Sequence, residues 1–224
     1  SDYAASILVR EYEWLIEAAK NGELARPLNT DMLAEISSLP GRARGDFKVM
    51  QASLRRCRNQ RLLHILWRIV AGHDDIWQTL DSLSLLADAL IGSSIKFASA
   101  SLAVEFGEPL NQRGEPLHIV VVAMGKLGGK ELNFSSDVDL VFLYSEEGET
   151  QGKSRLSGHE YFTRLSRYII KLLDEVTEDG FVYRVDTRLR PFGQSGPPVL
   201  SFAALESYLL QHGRSWERYA YVKA

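Results

Sequence analysis

A single cysteine, Cys57, is too few for an internal disulfide, so packing must hold this chain together and a reducing, cytoplasmic setting is expected. Cys57 falls within a helical pattern, where a half-buried position is expected rather than a reactive thiol. The chain also lacks an excess of basic residues. A net charge of −3 offers no footprint for nonspecific nucleic-acid binding, so no nucleic-acid partner is expected. Long apolar runs are missing too: Ile119 to Met124, the longest, is far short of a bilayer, and no membrane partner is expected. No signal peptide, internal repeat or low-complexity tract is visible. His64, His73, His159 and His212 show no metal-ligand spacing, and Ser135 and Ser136 have no visible His–Asp partners. The chain opens at Ser1 rather than Met, and its last residues read as helix cut off mid-course. It is therefore expected to be a piece of a longer protein.

What is present divides at about residue 110. Up to about Phe106 almost no strand signal occurs. Ile7, Leu8, Tyr12, Leu15 and Ile16 recur at helical spacing, as do Leu54, Cys57, Leu62, Ile65 and Ile69 in part. Pro27 and Pro40-Gly41 should punctuate the first helices, and Asp74 or Asp75 should cap a long helix running to Phe106. Beyond Gly107 to Pro116 the pattern changes. Leu117 to Met124 reads as a central strand buried on both faces, and Val138 to Tyr144 as a second strand. Ser145 to Ser157 reads as a mobile loop beside the site. Gly158 to Val176 is an amphipathic helix with Tyr161, Phe162, Leu165, Ile169, Leu172 and Leu173 inward. Gly193 to Pro198 reads as a turn, followed by helices at 202–210 and 216–224. The expected fold class is α+β: a helical subdomain, residues 1–110, packed on a catalytic core of mixed sheet and flanking helices, residues 111–224.

The chemistry concentrates in Gly125-Lys-Leu-Gly-Gly-Lys-Glu-Leu-Asn-Phe-Ser-Ser-Asp137-Val-Asp139. In a strand, residues i and i+2 share a face, so Asp137 and Asp139 project together. Two adjacent carboxylates repel unless a cation sits between them, and Mg²⁺ is the usual answer where phosphates are present. The backbone of Gly128 and Gly129 can approach a phosphate closely, with Gly125 and Lys126 as the rival pair. Lys126 is equally a phosphate ligand or a solvated turn residue, and Ser136 fits a phosphate oxygen through its hydroxyl or amide.

A third element, Phe181-Val-Tyr-Arg-Val-Asp186-Thr-Arg-Leu-Arg190, alternates with period two and reads as a strand. Its polar face carries Asp186 among arginines. Asp186 would complete a metal site with Asp137 and Asp139, and Arg188 and Arg190 would hold phosphate oxygens through their planar forks. Three carboxylates holding Mg²⁺ beside a phosphate cradle point to nucleotidyl or phosphoryl transfer.

These strings resemble the polymerase-β-like nucleotidyltransferases and, within them, the bifunctional glutamine synthetase adenylyltransferase/adenylyl-removing enzymes. Arg190-Pro-Phe-Gly-x-Ser-Gly-Pro and Ser215-Trp-Glu-Arg-Tyr-Ala-x-Val-Lys-Ala carry the resemblance to the last residue. Leu-Asn-Phe-Ser-Ser before Asp137 and Arg-Pro-Phe-Gly are similar to the N-terminal, adenylyl-removing half rather than to the transferase half. The resemblance implies phosphorolytic removal of AMP from a tyrosine of glutamine synthetase, with inorganic phosphate and an adenine nucleotide at the site. It also implies control by a uridylylated PII signal protein and by 2-oxoglutarate. The alternatives are the transferase half, moving AMP from ATP to the tyrosine, and a regulatory module without turnover.

Two further features have plainer readings. The arginine-rich helix with Arg55, Arg56, Arg58, Arg61 and Arg68 reads as a solvated face with local ion pairs rather than as a docking surface. Trp216-Glu217-Arg218 reads as packing at the periphery of the site, with substrate contact by Glu217 or Arg218 as the alternative.

Overall fold

Capping side chains set where the helices begin. Residues 2–134 and 137–224 are described in the computed structural model of this protein. Helices α1 (Asp2–Arg10), α2 (Tyr12–Lys20), α3 (Thr30–Ala43), α4 (Phe47–Val70) and α5 (Ile76–Phe106) form the first half. Asp46 starts α4 by accepting from the amides of Lys48 and Val49. Asp75 starts α5 in a reciprocal box with Gln78, and Gly107, at φ +76°, ends it as expected.

Pro40 does not end its helix. It lies inside α3, where it removes the amide that would have donated to the Ile36 carbonyl. The Ser93 hydroxyl of α5 donates to that carbonyl instead, at 2.8 Å, so the gap is closed by a neighbouring helix. The 31 residues of α5 are long and apolar enough to cross a membrane by length and composition, although polar residues such as Asp88 break the run in the sequence. Its side chains Leu86, Leu90, Phe97 and Leu102 lie in the protein core.

The arginine-rich face is not solvated. Arg55, Arg58, Arg61 and Arg68 are all buried, because α4 is packed by α1, α2, α3, α5 and a helix of the second half. Arg68 grips Asp74 through two bonds of 2.8 and 2.5 Å, and Arg61 pairs with Glu23 and Glu35. Arg56 alone of the five fits the expectation of an exposed residue. Cys57 is buried rather than half-buried, and burial pushes its thiol up to about 11.

The second half contains β1 (Pro109–Leu110), β2 (Ile119–Met124), α6 (Gly125–Gly128), β3 (Asp137–Tyr144), β4 (Glu149–Thr150), α7 (Gly158–Asp174), β5 (Arg184–Asp186), β6 (Val199–Ser201), α8 (Phe202–Gln211) and α9 (Ser215–Ala220). Strand β3 is central. β2 runs antiparallel along its whole length on one edge, while β5 and β6 share the other edge end to end, both parallel to it. The buried central strand is thus β3 and not β2, which is an edge strand of partly covered residues. On one face of β3, Val138, Leu140, Phe142 and Tyr144 join a single core cluster that includes side chains of α3, α4, α5 and α7. On the other, Val141 and Leu143 pack with Met124 and Leu200 beneath Leu205 and Tyr221.

The segment after β3 is neither loose nor near the carboxylates. It follows the far end of β3, and β4 pairs with β1. The Gly152 amide donates to the Phe106 carbonyl at 2.8 Å, and a Cβ at Gly152 would come within 2.2 Å of that carbonyl carbon. The last expected strand is also shorter, with regular pairing only from Arg184 to Asp186. Val182 and Tyr183 are both buried, which breaks the alternation, and from Thr187 the chain turns away.

Candidate active site

Register assembles the site. Across β3 and β5, Asp137 faces Arg184, Val138 faces Val185, and Asp139 faces Asp186. Asp137 and Asp139 lie on the β3 face that Val141 and Leu143 continue beneath Leu205 and Tyr221; Asp137, before that cover begins, is exposed. β2 delivers a third element, since Met124 pairs with Asp139 and α6 starts at the next residue.

Each carboxylate has a different environment. Arg184 Nε donates to Asp137 Oδ1 at 2.5 Å, between two exposed side chains. Asp186 is held by Arg188 three times over: the backbone amide donates to Oδ1 at 2.8 Å, and Nε lies 2.7 Å from Oδ2 and 3.0 Å from Oδ1. The Arg188 side-chain hydrogen bonds keep Asp186 below the ordinary carboxylate range. Asp139 has no such partner among the described residues. Burial, and then the charges of Asp186 and Asp137, raise its proton affinity, against which Arg188 and Lys126 act. The first negative charge of this pair therefore rests on Asp186, and Asp139 bears the repulsion.

Three carboxylates are hard oxygen donors of the kind Mg²⁺ takes, and the repulsion that remains at Asp139 is what a dication would remove. Among the described residues no three such side chains converge at metal-ligand spacing. The reason is visible: Asp137 is turned to Arg184 and Asp186 to Arg188. Donor chemistry and strand register are of a kind that suits the ion, with two of the three carboxylates neutralised here by guanidinium.

The glycines divide by role. Gly125, at φ +60°, lies against Asp139, where an added Cβ would stand 3.0 Å from Oδ2. Gly128 is pressed on the backbone, where a Cβ would stand 2.1 Å from the Lys223 carbonyl oxygen. The Gly129 amide donates to the Gly125 carbonyl at 3.0 Å and is spent within the turn. Lys126 is exposed, its charge acting on Asp139. Ser136 lies outside the described residues.

An open cleft of about 470 Å³ adjoins the carboxylates, lined by Asp137, Arg184, Asp186, Arg188, Arg190 and Gln194 among others. Arg190 lines it but is committed elsewhere, donating to the carbonyls of Thr187, Gly196 and Gln194 at 2.8, 3.3 and 3.3 Å. It shapes the loop after β5. Arg184 was given no role from sequence, although its place two residues before Asp186 on the same strand face was a usable signal. A larger cleft, about 590 Å³, involves α1, α4 and Asp179, and shares no lining residue with this one. Glu217 accepts from the Tyr208 hydroxyl at 2.5 Å and Arg218 donates to the Leu209 carbonyl at 3.1 Å, so both are engaged in local packing.

Comparison with known proteins gives the family. The family model for glutamate-ammonia ligase adenylyltransferase matches residues 1–224. A protein of Thioalkalivibrio sulfidiphilus is 44% identical over 225 residues, and one of Pseudomonas aeruginosa 46% identical over 231. One of Shewanella loihica is 42% identical over 225 residues. All three bear the name bifunctional glutamine synthetase adenylyltransferase/adenylyl-removing enzyme. Each similarity covers 100% of this chain and 23% of the relative, so the chain spans about a quarter of their length.

Proposed function

Since the chain belongs to the glutamate-ammonia ligase adenylyltransferase family, we propose that it catalyses the adenylyl-removing reaction on glutamine synthetase. In that reaction an oxygen of inorganic phosphate attacks the α-phosphorus of an adenylylated tyrosine in line. The bond from phosphorus to the tyrosine oxygen breaks, ADP forms, and the hydrogen of monohydrogen phosphate ends on the tyrosine. The observation that carries the reading is the pairing of Asp139 with Asp186, which itself lines an arginine-rich cleft. Carboxylates alone would suit any transfer of this class. A second anion entering as nucleophile needs cationic side chains beside them, and this cleft has them.

Asp137, Asp139 and Asp186 would hold Mg²⁺. When bound, the ion would polarise the α-phosphate and offset charge accumulating in the transition state. Held ionised by Arg188, Asp186 suits cation binding better than proton transfer. Gly125, lacking a side chain, leaves room for the Asp139 carboxylate. Lys126 and Arg188 add positive charge for phosphate oxygens, and Arg190 fixes the loop that forms the wall. Gly128 and Gly129 would act through the shape of the turn after β2, and Ser136 would supply a phosphate ligand from the sequence just before Asp137. The setting is cytoplasmic, where glutamine synthetase and free phosphate are both at hand.

The test is phosphate-dependent release of ADP from adenylylated glutamine synthetase with Mg²⁺, lost in Asp137→Asn. Transfer of AMP from ATP to unmodified glutamine synthetase would reverse the direction assigned here.

A further inference from the structure

Three arginines line the cleft, and their commitments differ. Arg190 donates through all three guanidinium nitrogens to its own loop. Arg188 is engaged on Asp186 through Nε, Nη2 and its backbone amide. Arg184 donates only through Nε, to Asp137, and among the described residues its remaining nitrogens are given no partner. Its side chain is 63% exposed and borders the cleft.

We propose that Arg184 is a substrate-phosphate ligand kept in reserve on Asp137, released when a divalent cation takes that carboxylate. The inference rests on the metal site proposed above and adds to it a residue and an order of binding. Asp137 and Arg184 are register partners on adjacent strands, so the guanidinium cannot leave the neighbourhood when its carboxylate is taken. It also cannot lose its charge, because arginine stays protonated in proteins. A cation at Asp137 and the guanidinium then compete for the same oxygen and repel each other. The freed fork faces a cleft into which an anionic phosphoryl group would bring the missing counter-charge, with geometry suited to two parallel hydrogen bonds. Cation binding thus creates the anion site, and the two ligands bind with positive coupling that must be reciprocal. In the metal-free protein the same pair keeps the Asp137 charge neutralised.

The experiment is calorimetric titration of this chain with Mg²⁺ alone, with inorganic phosphate alone, and with phosphate at saturating Mg²⁺. Wild type is compared with Arg184→Gln and Arg184→Lys, and melting curves check the fold of each. Removing the competitor should let Arg184→Gln bind Mg²⁺ about two- to fivefold more tightly, the range expected for an exposed ion pair. Its affinity for phosphate at saturating Mg²⁺ should fall by about tenfold or more, and the dependence of phosphate affinity on Mg²⁺ should shrink. Arg184→Lys, which keeps the charge without the fork, should bind Mg²⁺ as wild type does and phosphate at an intermediate affinity. Unchanged or weaker Mg²⁺ binding in Arg184→Gln, or unchanged phosphate affinity, overturns the role of Arg184 and leaves the metal site standing. Wild type that takes up no Mg²⁺ overturns the metal site itself, and this inference with it.

Discussion

Asp139 lies directly across from Asp186 on adjacent parallel strands, so backbone register, not a loop, holds the two carboxylates together. Hydrogen bonding along β3 fixes them as firmly as the sheet itself. Their mutual repulsion is therefore built in, and it bears on stability as well as on the proposed chemistry.

Asp139→Asn should abolish ADP release while making the protein more stable. Burial and the charges of Asp186 and Asp137 raise the folded pKa of Asp139 above its unfolded value. Ionised Asp139 then costs stability at every pH above that raised value, and the cost fades as pH falls through it toward the ordinary carboxylate range. At pH 7.5 the amide should lower turnover by at least about a hundredfold. It should also raise the melting temperature, the direction that a raised folded pKa sets. Steady-state ADP release and thermal melts check both signs.

Gly125→Ala and Gly128→Ala should fail differently. At Gly125 the new methyl meets Asp139 Oδ2 at 3.0 Å in a left-handed backbone conformation. Weaker Mg²⁺ binding is expected there, with about 1–2 kcal/mol of backbone strain. At Gly128 it meets the carbonyl oxygens of Lys223 and Ala123 at 2.1 and 2.5 Å. That substitution should cost about 1–3 kcal/mol through overpacking, with less effect on the metal once folded. Urea unfolding beside Mg²⁺ titration separates the two.

Arg55→Met should be among the most damaging single changes away from the cleft. The fully buried Arg55 donates to the carbonyls of Gly180, Gln51, Leu172 and Glu175, tying α4 to the end of α7 and the turn that leads into β5. Leaving these acceptors bare should cost about 3–5 kcal/mol in urea unfolding. Amides at 182–186 should lose hydrogen-exchange protection first.

His64 should make the fold acid-sensitive. It is buried, its Nε2 lies 2.9 Å from the Arg26 carbonyl, and Nδ1 has no hydrogen-bond partner among the described residues. Burial lowers its pKa below 6.5. The unfolded chain then binds the proton more readily, so the contribution of neutral His64 is present above about pH 6.5 and is lost as pH falls below it. The drop in melting temperature between pH 7.5 and 5.5 should be smaller in His64→Gln than in wild type.

The helices of the first half and the three strand carboxylates were legible because periodicity and one-residue spacing encode them locally. Burial of the α4 arginines was not, since their partners Asp74, Glu23 and the Gly180 carbonyl come from separate stretches of chain. The continuity of α3 through Pro40 depends on a hydroxyl of α5, which no local pattern announces. β2 looked central because its run of Ile, Val and Ala is apolar throughout. It is β3, with its Leu-Val-Phe-Leu-Tyr, that is covered on both faces. Within the cleft, sequence offered Arg188 and Arg190 equally, whereas the loop geometry engages Arg190 and leaves Arg184 the freer of the three.

β5 and β6 dock on one edge of β3 in succession, at Asp137 to Asp139 and then at Phe142 to Tyr144. The stretch from 187 to 198 therefore leaves the sheet and returns to it a short step further along the same strand. It is an excursion with both feet fixed, and lengthening such an excursion adds little closure entropy. An insertion there would thus reshape the wall of the cleft while the carboxylates behind it keep their register. The sheet separates the register of the carboxylates from the shape of the wall in front of them.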